Sequence, residues 1–198
     1  MLAHKTEEKD LSPGERIATP RLVLRTPTMN DVPALVSLAN NVHIAENTAS
    51  LPHPYGKTDA ESWINRNRTI TAGNGRGFVV CLKDDAEAVI GCSGWGAVPG
   101  IDVPQVGYWI GEPHWGNGYA TEAAQAVIDH AFTIGELDVV GCGCRVTNTA
   151  SRRVIEKCGF QYDGLGMIRF RYHAGSLPIL KFRMDRSAWS SLKAWGAR

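Results

Sequence analysis

The bend W-G-N-G-Y-A-T, at Trp115, Gly116, Asn117, Gly118, Tyr119, Ala120 and Thr121, has the residue types and spacing to hold an anion. Gly116 and Gly118 tolerate positive φ and leave room for close approach, so successive backbone N–H groups can converge on one point. A helix is predicted to start at the bend, because apolar residues recur at Ala120, Ala124, Val127, Ile128 and Ala131. The first amides of a helix lack helical acceptors and add to the same positive focus. A pyrophosphate needs this geometry, although a glycine pair also serves a plain strand-to-helix turn.

Two named phosphate motifs can be tested against the bend. No G-K-[S/T] follows it, which excludes a P-loop. A dinucleotide fingerprint is nearly met by Gly116-x-Gly118-x-x-Thr121, with Asp138 about twenty residues on, where an acidic ribose ligand belongs. Against it, Gly111 to Trp115 separate the preceding apolar run from the first glycine, where that motif has a tight turn. Asp138 also precedes its strand, whereas a ribose ligand follows one. Cysteine chemistry has less support. Cys142-x-Cys144 sets two thiols on one face of a predicted strand, but the six histidines offer neither a zincin spacing nor a Cys-x-x-Cys partner. The odd total of five cysteines argues against a disulfide framework. Buried packing is the reading, with no metal and no cysteine nucleophile.

The elements that must position the bend follow from periodicity and turn residues. Residues 1–18 mix charged and turn-forming types without period and read as a flexible lead-in. Arg21 to Arg25 alternates as a half-exposed strand. Asn30 or Asp31 can cap a helix carrying Val32, Leu35 and Val36, and Asn40 to Lys57 reads as loop. A second helix runs from Thr58 or Asp59 to about Thr71, with Gly73-Asn74-Gly75 as its stop. Phe78–Leu82 and Val89–Trp95 form a hairpin about the polar turn Lys83 to Glu87. The strand V-G-Y-W-I precedes the bend, and Val139–Val146 supplies a strand after its helix. Asn148 or Thr149 caps a short helix ending at Gly159. Strands at Tyr162–Tyr172 and Leu177–Arg186 close the fold through Ala174-Gly175-Ser176. In residues 187–198, Trp189, Leu192 and Trp195 can form a helical stripe. The order predicts one α+β domain over 19–186, a mixed, mostly antiparallel twisted sheet flanked by helices.

The run W-G-N-G-Y-A-T-E-A, followed by N-T-A-S-R-R-V-I-E-K-C-G-F from Asn148 to Phe160, resembles the GNAT superfamily of acetyl-CoA-dependent N-acetyltransferases. Within it the chain looks most like the branch containing the ribosomal-protein-alanine N-acetyltransferases. The likeness begins at T-P-R-L-V-L-R, from Thr19 to Arg25, and extends to about Met184. In the family's acyl-CoA loop, Trp115 stands where glutamine or arginine is usual, Gly118 is the glycine and Ala120 the final small residue. The resemblance implies a single GNAT-like domain with splayed central strands and a pantetheine slot lined by Trp109, Ile110 and Gly111. It implies cofactor contacts across Trp115 to Thr121.

By residue types alone, Asn148 and Ser151 are an N-cap and a first-turn serine. The resemblance assigns them cofactor-binding and catalytic roles, because they match the branch's Asn-x-x-Ser motif. The tyrosine that protonates the departing thiolate in many relatives is replaced by Ile155. The branch's glutamate base has no counterpart in I-R-F-R-Y-H, where Arg169, Arg171 and His173 stand and can select an acidic acceptor. Glu46, His53 and His114 lie in loops able to face the acceptor. Three functions therefore stay open: an N-acetyltransferase acting in a ternary complex, a non-catalytic acyl-CoA-binding or regulatory module, and a dinucleotide-binding oxidoreductase.

Composition narrows the partners. A formal net charge of +1 gives no general field for nucleic acid or anionic membrane. No basic-then-apolar leader opens the sequence, and no apolar run approaches the roughly 20 residues of a membrane span. The expectation is a cytoplasmic monomer or homodimer using acetyl-CoA as co-substrate and an amine acceptor, either a small molecule or a protein N-terminus.

Overall fold

The computed structural model describes residues 15–69 and 74–196. The β-branched, aromatic and alternating runs form β1 (Arg16–Ala18), β2 (Leu22–Arg25), β3 (Gly75–Leu82), β4 (Asp85–Gly96), β5 (Gln105–Ile110), β6 (Val139–Arg145), β7 (Gln161–Phe170) and β8 (Gly175–Asp185). The helices are α1 (Val32–Ala39), α2 (Val42–Ala45), α3 (Lys57–Thr69), α4 (Tyr119–Thr133), α5 (Thr149–Lys157) and α6 (Arg186–Gly196). The strands join one sheet in the order β1-β2-β3-β4-β5-β6-β8-β7. Only β5 and β6 run parallel; the other neighbours are antiparallel. The mixed α+β fold read from the sequence is the fold observed.

Period-two alternation sends side chains to two cores. On β3, Phe78 and Val80 pack toward α4 and α5, whereas Val79 and Cys81 pack toward α1 and α3. On β5, Val106, Tyr108 and Ile110 take the α4 side and Trp109 the other. All five cysteines are buried, Cys142 and Cys144 together in the α4 core.

The functional consequence of the sheet lies between β5 and β6. They pair only at Gln105 and Gly141, where the Gly141 N–H meets the Pro104 carbonyl at 2.8 Å. A Cβ at Gly141 would meet the side-chain amide of Gln105 and a Val103 methyl, which would have to move to admit it. Past that point the strands part, giving the expected splay.

Several expectations need correction. The lead-in does not reach Ala18: Arg16–Ala18 is an edge strand paired with β2, while residues 1–14 lie outside the described residues. The stretch Asn40 to Lys57 is not all loop. It contains α2, four residues long and thus too short to show a period, capped by the Asn41 side chain on the His43 and Ile44 amides. Strand β4 resumes at Asp85, inside the expected turn. The proposed stop at Gly73 falls outside the described residues, and α6 begins at Arg186, one residue before the expected tail. Trp189 stacks on Phe132 at 5.2 Å and donates to Asp129 at 2.8 Å, so it packs on its own domain, whereas Trp195 is 79% exposed. Among the described residues, no helix is long and apolar enough to cross a membrane.

Asp31 does not cap α1 with its side chain. Its carboxylate turns back to accept from both Arg25 guanidinium nitrogens, at 2.9 and 2.7 Å, and from the Thr28 amide at 2.7 Å. Burial alone would raise the Asp31 pKa, but the hydrogen bonds from Arg25 and Thr28, with the Arg25 charge, hold it below the ordinary value. Asp31→Ala takes the carboxylate from a buried guanidinium and should cost about 3–5 kcal/mol in urea unfolding. Because the folded pKa is lowered, this contribution is complete above the unfolded value of about 3.9 and fades as pH falls through the folded one. The gap in stability between the native chain and Asp31→Asn should therefore shrink between about pH 4 and lower pH.

Candidate active site

The site is a cavity of about 580 Å³ opened by the parting of β5 and β6. It is lined by α2, β5, the bend before α4, and α5. Strand β5 presents its free edge there. The Gly111 N–H points the other way, to the Ile90 carbonyl of β4, and backbone groups alternate along a strand. The Ile110 N–H consequently faces the slot. The Ile110 carbonyl, on the same edge, accepts the indole N–H of Trp115, which ties the bend to the strand end. Trp109, Ile110, Trp115, Gly116, Gly118, Tyr119, Ala120 and Thr121 all line the cavity, whereas Gly111 and Asn117 do not.

The bend has the shape an anion requires. Gly116 and Gly118 hold φ of 80° and 79°, and a Cβ at Gly116 would meet only open space. Tyr119, Ala120 and Thr121 open α4 with amides that lack helical acceptors, since the first helical bond is Glu122 N–H to the Gly118 carbonyl. The Asn117 side chain is spent inside the bend, donating to the carbonyls of His114 at 3.2 Å and Trp115 at 3.1 Å. Arg153 and Lys157 of α5 bring positive charge to the same cavity.

A clamp not anticipated from the sequence sets the shape of this bend. Arg21 donates to the Asn117 carbonyl at 2.8 Å and to Glu122 at 2.7 Å, with its guanidinium 4.8 Å from the centre of the Tyr119 ring. Glu122 also accepts from the Thr19 hydroxyl at 2.6 Å and the Arg21 amide at 2.8 Å. Burial would raise the Glu122 pKa, but these hydrogen bonds and the Arg21 charge hold it low, so its carboxylate stays ionised and compensated beside the anion seat. Both residues lie in the quoted motifs; their pairing across 101 positions could not be read from either one.

Asn148 and Ser151 are brought to the slot together. Asn148 caps α5 by accepting from the Ser151 amide at 3.0 Å, and both residues line the cavity. Ile155, one turn later on the same face, is buried in the core. A phenol comes instead from β5: the Tyr108 hydroxyl lies 3.0 Å from Ser151 Oγ and 3.2 Å from the Ser151 carbonyl. Burial, and then the nearby buried thiol of Cys142, push the Tyr108 pKa far above its ordinary value, so it remains a neutral hydroxyl. Sequence reasoning passed over Tyr108 because a tyrosine in an apolar strand carries no chemical signal.

Of the loop candidates, Glu46 and His114 line the cavity and His53 does not; His53 packs against Tyr172. The arginine-rich turn lies outside the lining of the cavity. Arg171 is committed to the Ser50 carbonyl and Asp59, His173 meets the Glu46 carbonyl, and none of Arg169, Arg171 and His173 lines the cavity. Burial raises the pKa of Cys92, Cys142, Cys144 and Cys158, which makes these thiols poor nucleophiles. Among the described residues, no group of three His, Cys, Asp or Glu could hold a metal ion.

A family profile described as acetyltransferase (GNAT) domain matches residues 21–161. The chain is 28% identical over 153 residues to the uncharacterized N-acetyltransferase p20 of Bacillus licheniformis, spanning 76% of this chain and 85% of that protein. It is 40% identical over 60 residues to the ribosomal-protein-serine acetyltransferase of Escherichia coli strain K12, spanning 30% of this chain and 34% of that one. The spermidine N-acetyltransferase of Vibrio cholerae, solved in complex with CoA and spermine, matches in fold with a TM-score of 0.71 at 22% identity. That match covers 87% of this chain and 99% of that one.

The cap bond predicts how Asn148 acts on stability. Asn148→Ala should lower unfolding free energy by about 0.5–2 kcal/mol, and Asn148→Asp should recover most of it. Equal stability of the native chain and Asn148→Ala in urea would show that the cap carries no weight.

Proposed function

The chain belongs to the GNAT family of acetyl-CoA-dependent N-acetyltransferases, and we propose that it passes the acetyl group directly to a primary amine in a ternary complex. The observation that carries this reading is the half-paired β5 and β6, with an anion seat at one end of the gap and hydroxyls across it. In this reading the amides from Gly116 to Thr121 hold the pyrophosphate, helped by Arg153 and Lys157. The free edge of β5 pairs with the pantetheine amides, and the Ile110 N–H donates to the oxyanion of the tetrahedral intermediate.

An attacking amine must be deprotonated, and the departing thiolate needs a donor. Ser151 is the residue we assign to the thiolate. The single Tyr108 proton can go to the Ser151 carbonyl or to Ser151 Oγ; when it goes to Oγ the serine proton is left free to point at sulfur, and Asn148 fixes the turn on which the serine sits. Tyr108 is too firmly neutral to give up its proton; it orients and polarises. Relatives by name act on a ribosomal protein and on spermidine, so the acceptor here is a protein N-terminus or a small-molecule amine. A non-catalytic acyl-CoA-binding module would bind without turnover and gives the paired hydroxyls no role.

Valine fits positive φ poorly, and a Cβ at Gly118 would make only ordinary contact with Arg21, so Gly118→Val acts through backbone strain. It should weaken acetyl-CoA binding tenfold or more, about 1.4 kcal/mol, by calorimetry on a folded protein. Unchanged affinity would remove the bend from the cofactor site.

Ser151→Ala should lower kcat by about 10²–10⁴-fold with little change in acetyl-CoA affinity, because help to a leaving group is felt in the transition state. The cap uses the Ser151 amide and not its hydroxyl, so melting temperature should change little. CoA thiol release and thermal unfolding on the same variant check both halves, and a normal kcat excludes Ser151 from the mechanism.

A further inference from the structure

We propose that the Glu46 carboxylate is the seat of the acceptor's ammonium group, and that the acceptor is a primary amine with no carboxylate adjacent to its nitrogen. The inference rests on the acetyltransferase reading and adds the acceptor's chemistry to it. Charge in the slot is divided by sign. Arg153 and Lys157 stand on α5, and Glu46, at the end of α2, is the only carboxylate lining the cavity among the described residues. A cationic amine entering the slot finds one anionic group.

The position of Glu46 is held from three directions. Its carbonyl accepts from Arg145 of β6 at 2.8 Å and from His173 of the β7–β8 turn at 3.2 Å, while α2 supplies its backbone. Its carboxylate has weak neighbours by comparison. Asn47 Nδ2 lies at 3.4 Å and His43 Nδ1 at 3.8 Å, and the side chain is 37% exposed. A backbone that is clamped and a carboxylate that no lysine or arginine engages among the described residues is the arrangement of a binding group.

Three basic side chains beside this wall, Arg145, Arg171 and His173, have other partners. Arg145 and His173 meet the Glu46 carbonyl, and Arg171 holds the Ser50 carbonyl at 3.4 Å and Asp59 at 3.9 Å. A free amino acid would bring its own carboxylate, two bonds from the amine, against Glu46, while the cavity's Arg153 and Lys157 stand on α5 and are assigned above to the pyrophosphate. A peptide N-terminus or an alkyl polyamine carries the same ammonium without that repulsion.

The test compares wild type and Glu46→Gln, which keeps side-chain volume and both carbonyl clamps. Acetyl-CoA is supplied with four acceptors: an unblocked peptide, spermidine, a free amino acid and the carboxamide of that amino acid. CoA thiol release is corrected for the fraction of deprotonated amine. Wild type should use the carboxamide at least tenfold better in kcat/KM than the amino acid. Glu46→Gln should raise the acceptor KM at least tenfold, erase the preference for the carboxamide, and leave acetyl-CoA affinity and melting temperature unchanged. The peptide and spermidine arms tell which source of ammonium is preferred. An unchanged acceptor KM in Glu46→Gln, or a preference that survives it, overturns the role of Glu46 while the enzymatic reading stands. No thiol release by wild type with any amine overturns the enzymatic reading, and this inference with it.

Discussion

Two adjacent strands that pair at one end and part at the other leave backbone donors and acceptors with no sheet partner, and much of this molecule follows from that. Buried N–H and C=O groups must find partners. Here the Ile110 carbonyl takes the Trp115 indole, and Tyr108 sends its hydroxyl across the gap to the first turn of α5. The remaining donors on the free edge of β5 suit the amides of an extended ligand arm. The gap is thus held open by side chains that complete its walls. The single pairing of Gln105 with Gly141 sets where divergence begins.

The anion seat depends on the same opening and on a clamp outside it. Two left-handed glycines give the bend its curvature, but curvature alone does not stop it from flexing. Arg21 bonds the Asn117 carbonyl and Glu122 together, so the start of β2 braces the start of α4. Glu122 stands in the first turn of α4, where a carboxylate suits the helix dipole yet would oppose an incoming phosphate. Its pairing with Arg21 resolves that conflict. This is a positioning role for Arg21 of the T-P-R-L motif.

The cavity wall at Glu46 is assembled from chain segments that have little local structure of their own. The helix α2 is one turn long, too short to be stable alone. It is kept in place by Asn41 at its start and by Arg145 and His173 at its end. Arg171 and His173, two of the residues that suggested an acidic substrate, bond carbonyls of this segment, at Ser50 and Glu46. Arg145 and Arg171 are directed at carbonyls and Asp59, and among the described residues Glu46 is the one acidic residue lining the slot.

Local pattern by itself determined the α+β order, the bend at Gly116 and Gly118, the cap at Asn148 and the burial of the cysteines, because each is a matter of period, φ or residue type within a few positions. The family motifs carried the expectation of splayed strands and an acyl-CoA loop. The lead-in was misjudged at Arg16–Ala18, since a three-residue edge strand has no period and exists only by pairing with β2. Asp31, one of two residues able to cap α1, stands at its N-cap position without a side-chain cap bond, since its choice of Arg25 over the α1 amides depends on where the buried guanidinium lies. Tertiary structure alone decided that Tyr108 meets Ser151, that Arg21 meets Glu122, and that Glu46 faces the slot while Arg171 does not. Those pairs are separated by tens of residues along the chain, and the distance between two side chains on different elements is set by sheet order and packing, which no local spacing encodes.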